Sequence, residues 1–330
     1  MPRVSVTMPA YNAERSIARA VRSVLESTLT DLECVVVDDG SKDNALAELD
    51  SIKDKRLRVI AVDHTGVAAA ANRAVQESRA PIIARMDADD YCHPTRLEKQ
   101  LTQLDAGGVD GIGGRVRIVN QQGGSVPSMK RYEAWVNDHL TDDAIRACRF
   151  VESPLVNPTM TAKREVFELG FRNGPFPEDY DLWLRAMQAG FRFGKVSDVV
   201  LDWTDGPGRL TRSHANYSAD AFDRCRREHL LLGPMSGVTR VRFWGAGQTG
   251  KPWLRWLREQ AIAVDCAVDV SPRKLGEVIH GARVVSPDDL PAADGTPLLI
   301  GVGAPGAREL ILLKLSEAGY RPGRDAWFVA

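Results

Sequence analysis

The length, composition and charge of the chain narrow the classes to which it can belong. Its 330 residues, 44% of them hydrophobic, are enough for two domains with sizeable cores. The 43 Lys and Arg are balanced by 44 Asp and Glu, and a formal net charge of -1 gives no reason to expect nucleic acid or an anionic membrane as a general partner. No apolar run reaches spanning length and no signal-peptide core opens the chain. We therefore expect a cytoplasmic protein, at most peripheral to a membrane, whose 5 scattered cysteines are reduced.

Strand-like segments separated by helical patterns open the chain. Apolar runs at 4–8, 33–37, 57–62 and 81–84 predict strands. Such alternation predicts an α/β fold with a mostly parallel sheet, and the loops that follow parallel strands share one edge, where ligands bind in open sheets. We therefore expect the four loops after these strands to lie together.

The loop after the fourth strand carries three carboxylates, on Asp87, Asp89 and Asp90. Hard oxygen ligands suit Mg²⁺ or Mn²⁺, which take one or two carboxylates and complete their coordination with water and substrate phosphates. The loop therefore predicts a divalent cation and a phosphorylated substrate. Taken alone it is also typical of a solvated turn, so the neighbouring motifs matter.

Five segments in order, and an acidic motif further on, resemble the family 2 glycosyltransferases of the GT-A fold. They are VTMPAYN (6–12), VDDGS (37–41), NRA (72–74), DADD (87–90), HPTRL (93–97) and EDYDLW (178–183). The resemblance covers residues 1 to about 230. It implies an inverting transfer of a sugar from a nucleotide-diphosphate sugar to a hydroxyl of a sugar or glycoconjugate acceptor, with Mn²⁺ or Mg²⁺ on the diphosphate.

Carried over by position, the resemblance assigns a nucleobase and ribose pocket at the ends of the first two strands. It implies that Asp39 accepts a hydrogen bond from the base, with Asp38 as the alternative. Pro9 and Tyr11 are expected to line the same pocket.

The resemblance also assigns residues to the diphosphate and the cation. Asn72 and Arg73 belong to a donor-binding motif, in which Arg73 reaches the diphosphate. Asp87 and Asp89 match the two acids of the DxD motif, where Asp89 is the expected metal ligand and Asp87 binds either the metal or, alternatively, the sugar or the ribose. Crowded carboxylates repel one another, and a cation is the simplest way to keep them ionised together.

Two acids near residue 180 are the candidates for general base. The resemblance places Asp179 beside the acceptor hydroxyl, with Glu178 as its rival. Acids followed by apolar residues at helical spacing are also typical of a helix start, where the macrodipole favours them. Trp183 is expected either in the core or as a platform for a sugar ring.

The family commonly adds a histidine from a later loop to the metal, and this chain departs from that pattern. Gly206 stands where the histidine is expected, and Asp205 or His214 is the candidate substitute. The alternative is a flexible lid that turns Arg209 and Arg212 towards phosphate.

A break near 233–237 separates a GT-A domain, residues 1–232, from a second α/β unit, residues 239–330. In the second unit a G-x-G-x-x-G motif lies between a strand and a helix, which is typical of a Rossmann-like dinucleotide site. The candidate phosphate- and ribose-binding residues are Gly245, Gly247, Gly250 and Asp269. A unit that serves only packing or homo-oligomer contacts explains the same pattern.

Two other functions compete with sugar transfer. An NAD(P)-dependent oxidoreductase centred on the second unit leaves the acids at 87–90 unexplained, and a non-catalytic carbohydrate-binding scaffold predicts sugar binding without donor turnover. The sequence names neither the sugar, the base nor the acceptor, because a few placed groups on variable loops set specificity.

Overall fold

The computed structural model describes residues 1–206, 209, 214–304 and 306–330. Two compact units are present, the first made of residues 1–145 and 154–225 and the second of 146–153 and 226–330. The second unit therefore includes the segment 146–153 and the end of a helix, both of which the sequence assigned to the first domain. Long-range bonds explain the difference: Arg226 donates to the Val151 carbonyl at 2.9 Å, and such contacts leave no local sequence pattern.

The first unit is built on an eight-stranded mixed sheet in the order β3-β2-β1-β4-β7-β6-β8-β5. Its strands are β1 (Val4–Ala10), β2 (Leu32–Asp39), β3 (Leu57–Val62), β4 (Ile82–Arg85), β5 (Tyr91–Cys92), β6 (Gly111–Asn120), β7 (Thr161–Lys163) and β8 (Phe193–Asp205). The β1 strand pairs in parallel with β2 and β4, and β2 with β3, whereas β7 is antiparallel to β4 and β6. The carboxyl ends of the first four strands consequently share one edge.

Nine α-helices occur among the described residues up to the second unit's sheet. They are α1 (Ile17–Leu25), α2 (Ala45–Asp50), α3 (Val67–Glu77), α4 (Arg96–Asp105), α5 (Lys130–Asp138), α6 (Asp142–Cys148), α7 (Arg164–Phe167), α8 (Glu178–Gln188) and α9 (Ala219–Leu232). In α1 the apolar residues Ile17, Val21 and Val24 are fully buried, as their helical spacing predicts. Strands β1 and β2 are buried along their whole length, which is typical of parallel strands with both faces covered.

The second unit contains a six-stranded sheet in the order β11-β12-β10-β9-β13-β14, parallel except for the β11–β12 pair. Its elements are β9 (Arg240–Trp244), α10 (Gly250–Glu259), β10 (Ala263–Val268), β11 (Val278–Ile279), β12 (Ala282–Val285), β13 (Leu298–Ile300), α11 (Ala307–Glu317) and β14 (Ala326–Phe328). All five cysteines of the chain are buried. Within the described ranges, no helix combines the length and apolarity that crossing a bilayer requires.

Candidate active site

The acidic loop begins where β4 ends, and it is anchored by a neighbouring segment. The Arg85 amide donates to the Met160 carbonyl at 2.7 Å, which fixes the start of the loop. Three carboxylates then converge, because one oxygen of each lies within 4.8 Å of the others. They belong to Asp87, Asp89 and Asp90. Within the part of the chain that the structure describes, this is the one such group of three or more His, Cys, Asp or Glu side chains.

The protein compensates the negative charge of this group only in part, because Asp87 is paired with Arg85 at 2.7 Å whereas the pKa values of Asp89 and Asp90 are raised. Asp90 is fully buried; its Oδ1 accepts from the Thr204 amide at 2.8 Å, while its Oδ2 has no hydrogen-bond partner. Burial and the charge of Asp89 raise the pKa of Asp90 well above its usual range. Desolvation and the charge of Asp87 raise the pKa of Asp89 to about 6. An oxygen-only donor set with an unsatisfied buried atom fits a hard divalent cation.

A buried polar network of Arg96 and Gln100 holds the backbone at the start of the acidic loop. The fully buried Arg96 donates to the Arg85 carbonyl at 2.8 Å and to Gln100 Oε1 at 3.1 Å. Gln100 in turn donates to the Thr159 carbonyl at 2.7 Å and accepts from the Thr161 hydroxyl at 2.8 Å. The HPTRL motif supported the family resemblance, but the sequence analysis assigned no role to Arg96. Its function is to hold the backbone that presents the acids.

The second pair of acids lies at the start of α8. Glu178 is buried and accepts a hydrogen bond from the Tyr217 hydroxyl. Burial and the neighbouring charge of Asp179 raise the pKa of Glu178 to about 7. Burial and the charge of Glu178 likewise raise the pKa of Tyr217. The sequence analysis missed Tyr217, since 39 residues separate it from its partner and no motif joins them.

Asp179, at the start of α8, is affected by the charges of the acidic loop. It is partly exposed, and its Oδ1 accepts from the Tyr180 amide at 2.7 Å. Desolvation raises the pKa of Asp179, the charge of Asp87 adds to the effect, and the charge of Arg85 opposes it. The charge on the acidic loop therefore acts on the carboxylate of Asp179.

In the predicted base pocket, His64 contacts both Tyr11 and Asp39. No motif in the sequence pointed to His64. Asp39 is buried and binds the loop at 64–66, and the ring of His64 stacks on Tyr11 with centroids 4.2 Å apart. Pro9 is buried within β1. Asp38 is also buried; its Oδ2 accepts from the Ser41 amide at 3.0 Å, and its Oδ1 has no partner.

The two polar residues of the NRA motif, Asn72 and Arg73, are bonded to other residues of the protein. Asn72 donates to the Phe171 carbonyl and accepts from the Phe171 amide, both at 2.8 Å, which ties α3 to the segment before α8. Arg73 pairs with Glu77 one helical turn away at 2.8 Å. The bonds of Asn72 are therefore structural. To bind a diphosphate, Arg73 would have to give up its surface ion pair with Glu77.

Asp205 and His214 are the candidates for a third metal ligand. Arg212, which the alternative of a flexible lid turned towards phosphate, falls outside the described residues. Asp205 pairs with Arg209 at 3.7 Å, and His214 is exposed, with its Nδ1 accepting from a backbone amide at 3.2 Å. Neither Asp205 nor His214 belongs to the group of converging acids, whose third member is Asp90.

The aromatic side chain at the acidic helix is part of the core. Trp183 is fully buried, with its ring edge-on to Phe167 and Phe193 at centroid distances of 5.7 Å. Because it has no exposed face, it does not serve as a platform for a sugar ring.

Comparison with known proteins supplies the family. Residues 5–171, half of the chain, match the family model described as Glycosyl transferase family 2. The chain belongs to that family. An uncharacterized glycosyltransferase of Haemophilus influenzae is 33% identical over 199 residues, a match that spans 57% of this chain and 61% of the relative.

Solved structures show the same fold at lower identity. Staphylococcus aureus TarS 1-349 in complex with UDP-GlcNAc aligns with 79% of this chain and 82% of its own, at 19% identity and a TM-score of 0.55. Mannosyltransferase PcManGT of Pyrobaculum calidifontis, solved with GDP-Man and Mn²⁺, covers 72% of this chain and 76% of its own, at 19% identity and a TM-score of 0.51. The α/β architecture is therefore that of GT-A glycosyltransferases, as the sequence predicted.

Outside the family match, the glycine motif of the second unit divides into two kinds of glycine. Gly245 has a φ of +113°, and a Cβ there would lie 2.7 Å from the Gly301 carbonyl oxygen. A Cβ on Gly250 would lie 1.6 Å from the Gly245 carbonyl oxygen. By contrast, a Cβ on Gly247 would meet nothing nearer than Lys274 Nζ at 3.7 Å. Close packing therefore requires Gly245 and Gly250 but does not require Gly247.

The acid predicted to bind ribose in this unit is already paired. Asp269 accepts from Lys274 Nζ at 2.8 Å, from the Ala246 amide at 3.0 Å and from the Ser271 amide at 2.9 Å. Burial acts to raise the pKa of Asp269, but the hydrogen bonds from Lys274 and Ser271 hold it below its usual range. A ribose would have to compete with an internal ion pair for this carboxylate.

Proposed function

We propose that the N-terminal unit catalyses an inverting transfer of a sugar from a nucleotide-diphosphate sugar to an acceptor hydroxyl. One observation carries the proposal: the carboxylates of Asp87, Asp89 and Asp90 converge on the loop that follows β4, at the edge where the parallel strands of the sheet end. Burial raises the pKa of Asp179, at the start of α8, and the charge of Asp87 adds to the effect. Ligands bind at that edge in open α/β sheets. The named donors of the two solved relatives, UDP-GlcNAc and GDP-Man, belong to the proposed substrate class.

Three acids are proposed to hold Mn²⁺ or Mg²⁺. Asp89 and Asp90 contribute carboxylates whose charge the protein leaves poorly compensated, while Asp87 is steadied by Arg85 at 2.7 Å. When bound, such an ion stabilises negative charge on the departing nucleotide diphosphate. The unpartnered Oδ2 of Asp90 favours a ligand set that includes this residue.

Asp179 is proposed as the general base. It accepts the proton of the acceptor hydroxyl while that oxygen bonds to the anomeric carbon and the bond from that carbon to the diphosphate oxygen breaks, which inverts the anomeric configuration. Its Oδ1 accepts a hydrogen bond from the Tyr180 amide at 2.7 Å. A raised pKa also brings a carboxylate closer to the working pH of a base.

Glu178 is the weaker candidate for the base and the stronger one for a positioning role. Its side chain is buried and bonded to the Tyr217 hydroxyl, and its pKa of about 7 keeps a fraction of it protonated near neutral pH. We assign it to the support of Asp179, with Tyr217 holding its orientation.

The second unit is proposed to be Rossmann-like and dispensable for the transfer chemistry. Every residue assigned to the reaction precedes position 226, where the second unit resumes. Its predicted ribose acid is internally paired, which favours packing or oligomer contacts over a dinucleotide or an NAD(P)-dependent reaction.

A donor panel tests the proposal. Purified protein is incubated with nucleotide-diphosphate sugars of several bases, with Mn²⁺ or with chelator, and the released nucleoside diphosphate is measured. We expect release from at least one donor with Mn²⁺ and a large loss with chelator, in Asp89→Asn and in Asp179→Asn. Asp50→Asn, at an exposed acid on α2, is the matched control. Release that is unaffected by chelator and by both variants would contradict the proposal.

A further inference from the structure

A histidine ring lies on the aromatic residue assigned to the nucleobase pocket. The imidazole of His64 stacks on Tyr11, with ring centroids 4.2 Å apart and an angle of 26° between the planes. The same imidazole places Nδ1 at 2.9 Å from Asp39 Oδ2 and at 3.0 Å from the Asp39 carbonyl oxygen. Both partners are acceptors, so Nδ1 carries a hydrogen and donates it. His64 is thus a planar heterocycle that stacks on Tyr11 and donates an N–H to Asp39.

Asp39 has no acceptor position to spare in this arrangement. Its carboxylate accepts from the Thr65 amide at 2.8 Å, the Thr65 hydroxyl at 3.1 Å, the Gly66 amide at 2.9 Å and His64 Nδ1 at 2.9 Å. An ionised carboxylate offers about four such positions. A nucleobase N–H that binds Asp39 must therefore replace one of these donors.

The donor that can leave at least cost is His64. The two amides directly precede α3, and a carboxylate at a helix N-terminus stabilises the helix, so their release would disturb its start. The His64 side chain is 54% exposed and can rotate about its own single bonds. Gly40 makes the close approach of this loop possible, because a Cβ there would lie 2.8 Å from the His64 amide nitrogen.

We propose that His64 occupies the nucleobase position of the unliganded enzyme and is displaced when the donor binds. The inference rests on the proposed function, since it assumes that Tyr11 and Asp39 receive the base. It makes His64 a determinant of donor affinity and base choice, because a base must outcompete an imidazole for the same stack and the same carboxylate. The competing arrangement keeps the imidazole in place and stacks the base on its outer face.

The two arrangements predict opposite signs for one substitution. If His64 competes with the base, His64→Ala removes the competitor and tightens nucleotide binding, since a binding-competent state that is only partly populated weakens the apparent affinity. We expect the dissociation constant of the best-bound nucleoside diphosphate to fall by about tenfold, the order expected for an aromatic contact plus a hydrogen bond. His64→Phe, which keeps a ring on Tyr11 but has no N–H for Asp39, should lie between His64→Ala and the wild type.

Calorimetry with the full chain and Mn²⁺ measures this effect, using UDP, GDP, CDP, ADP and dTDP as probes. Asp63→Asn, at the adjacent exposed residue, is the control for changes in the loop. Inorganic pyrophosphate is the control ligand, since it lacks a base and should bind the wild type and His64→Ala equally. Weaker or unchanged nucleotide binding by His64→Ala overturns the inference and leaves the proposed function standing. Failure of both proteins to bind any of the diphosphates overturns the proposed function, and the inference with it.

Proton NMR of the wild type gives a second readout that needs no stable alanine variant. The ring current of Tyr11 shifts the His64 Cε1 proton upfield, and the signal is identified by its loss in His64→Phe. Saturating nucleoside diphosphate should move it downfield, towards the position of an exposed histidine. A further upfield shift would mean that the base stacks on His64, and this would overturn the inference.

Discussion

The carboxylates at the two sheets of this protein are in opposite electrostatic conditions. In the first unit, burial and mutual repulsion raise the pKa values of Asp89, Asp90 and Glu178. In the second unit, Asp269 lies beside a glycine-rich turn, and Lys274 helps to hold its pKa below the usual range. Burial disfavours a charged group unless a partner compensates it.

Under the proposed function, the acidic loop of the first unit is the one that receives a ligand. The second unit supplies its own cation to its acid, so its loop is satisfied as it stands. The first unit leaves an oxygen of Asp90 buried without a partner, which is costly unless a proton or a bound cation satisfies it.

The largest effect is expected for Asp179→Asn, which removes the proposed base. Turnover should fall on the order of 10²–10⁴-fold while donor affinity stays nearly unchanged, because a base acts mainly in the transition state. Initial rates and calorimetry on the same preparation separate the two quantities. Glu178→Gln is the matched variant, and a greater loss of turnover there than in Asp179→Asn would move the base one residue back.

Asp89→Asn tests the charge deficit at the acidic loop. Loss of one charge-stabilising group should lower turnover on the order of 10²–10³-fold. It should also remove the rise in melting temperature that Mn²⁺ and a nucleoside diphosphate together produce in the wild type. Differential scanning fluorimetry with and without chelator measures the second effect. An Mn²⁺-dependent rise that persists in the variant would show that the ion binds elsewhere.

The raised pKa of Glu178 makes stability depend on pH. Its folded-state pKa of about 7 exceeds the ordinary value of 4.5, so the folded state binds more protons between these values, and its stability falls as pH rises through this window. The shift corresponds to about 3 kcal/mol at most. Urea unfolding in chelator from about pH 4.5 to pH 8 should show a smaller decline for Glu178→Gln than for the wild type. Equal declines would mean that Glu178 ionises normally.

The smallest expected effect is on stability, and it is tested at a matched pair of glycines in the second unit. Gly250→Ala should destabilise the protein by about 2 kcal/mol through its clash with the Gly245 carbonyl, whereas Gly247→Ala should stay within about 0.5 kcal/mol. Neither variant should alter turnover of the sugar donor, as measured at a temperature where both are folded. If Gly247→Ala lowered turnover, the second unit would contribute to the reaction.

Local sequence patterns were sufficient for much of the fold. The strand at 57–62 lies where the apolar pattern predicted it, and the acidic loop follows a buried strand as expected. These features depend on residues close together in the chain, whose spacing reports the period of a strand or a helix directly. The family resemblance rests on the same local motifs.

The tertiary structure decided how those motifs are completed. The sequence presents Asp39, Glu178 and Asp269 as three similar acids. In the structure, Asp39 accepts a hydrogen bond from His64, Glu178 accepts one from Tyr217, and Asp269 forms an ion pair with Lys274. In the same way, packing distinguishes Gly250 from Gly247, which the motif treats as equivalent. The charge state of an acid and the space beside a glycine depend on whatever the fold brings within a few ångströms. The sequence specifies which residues are neighbours along the chain, whereas only the tertiary structure specifies which distant residues lie beside them.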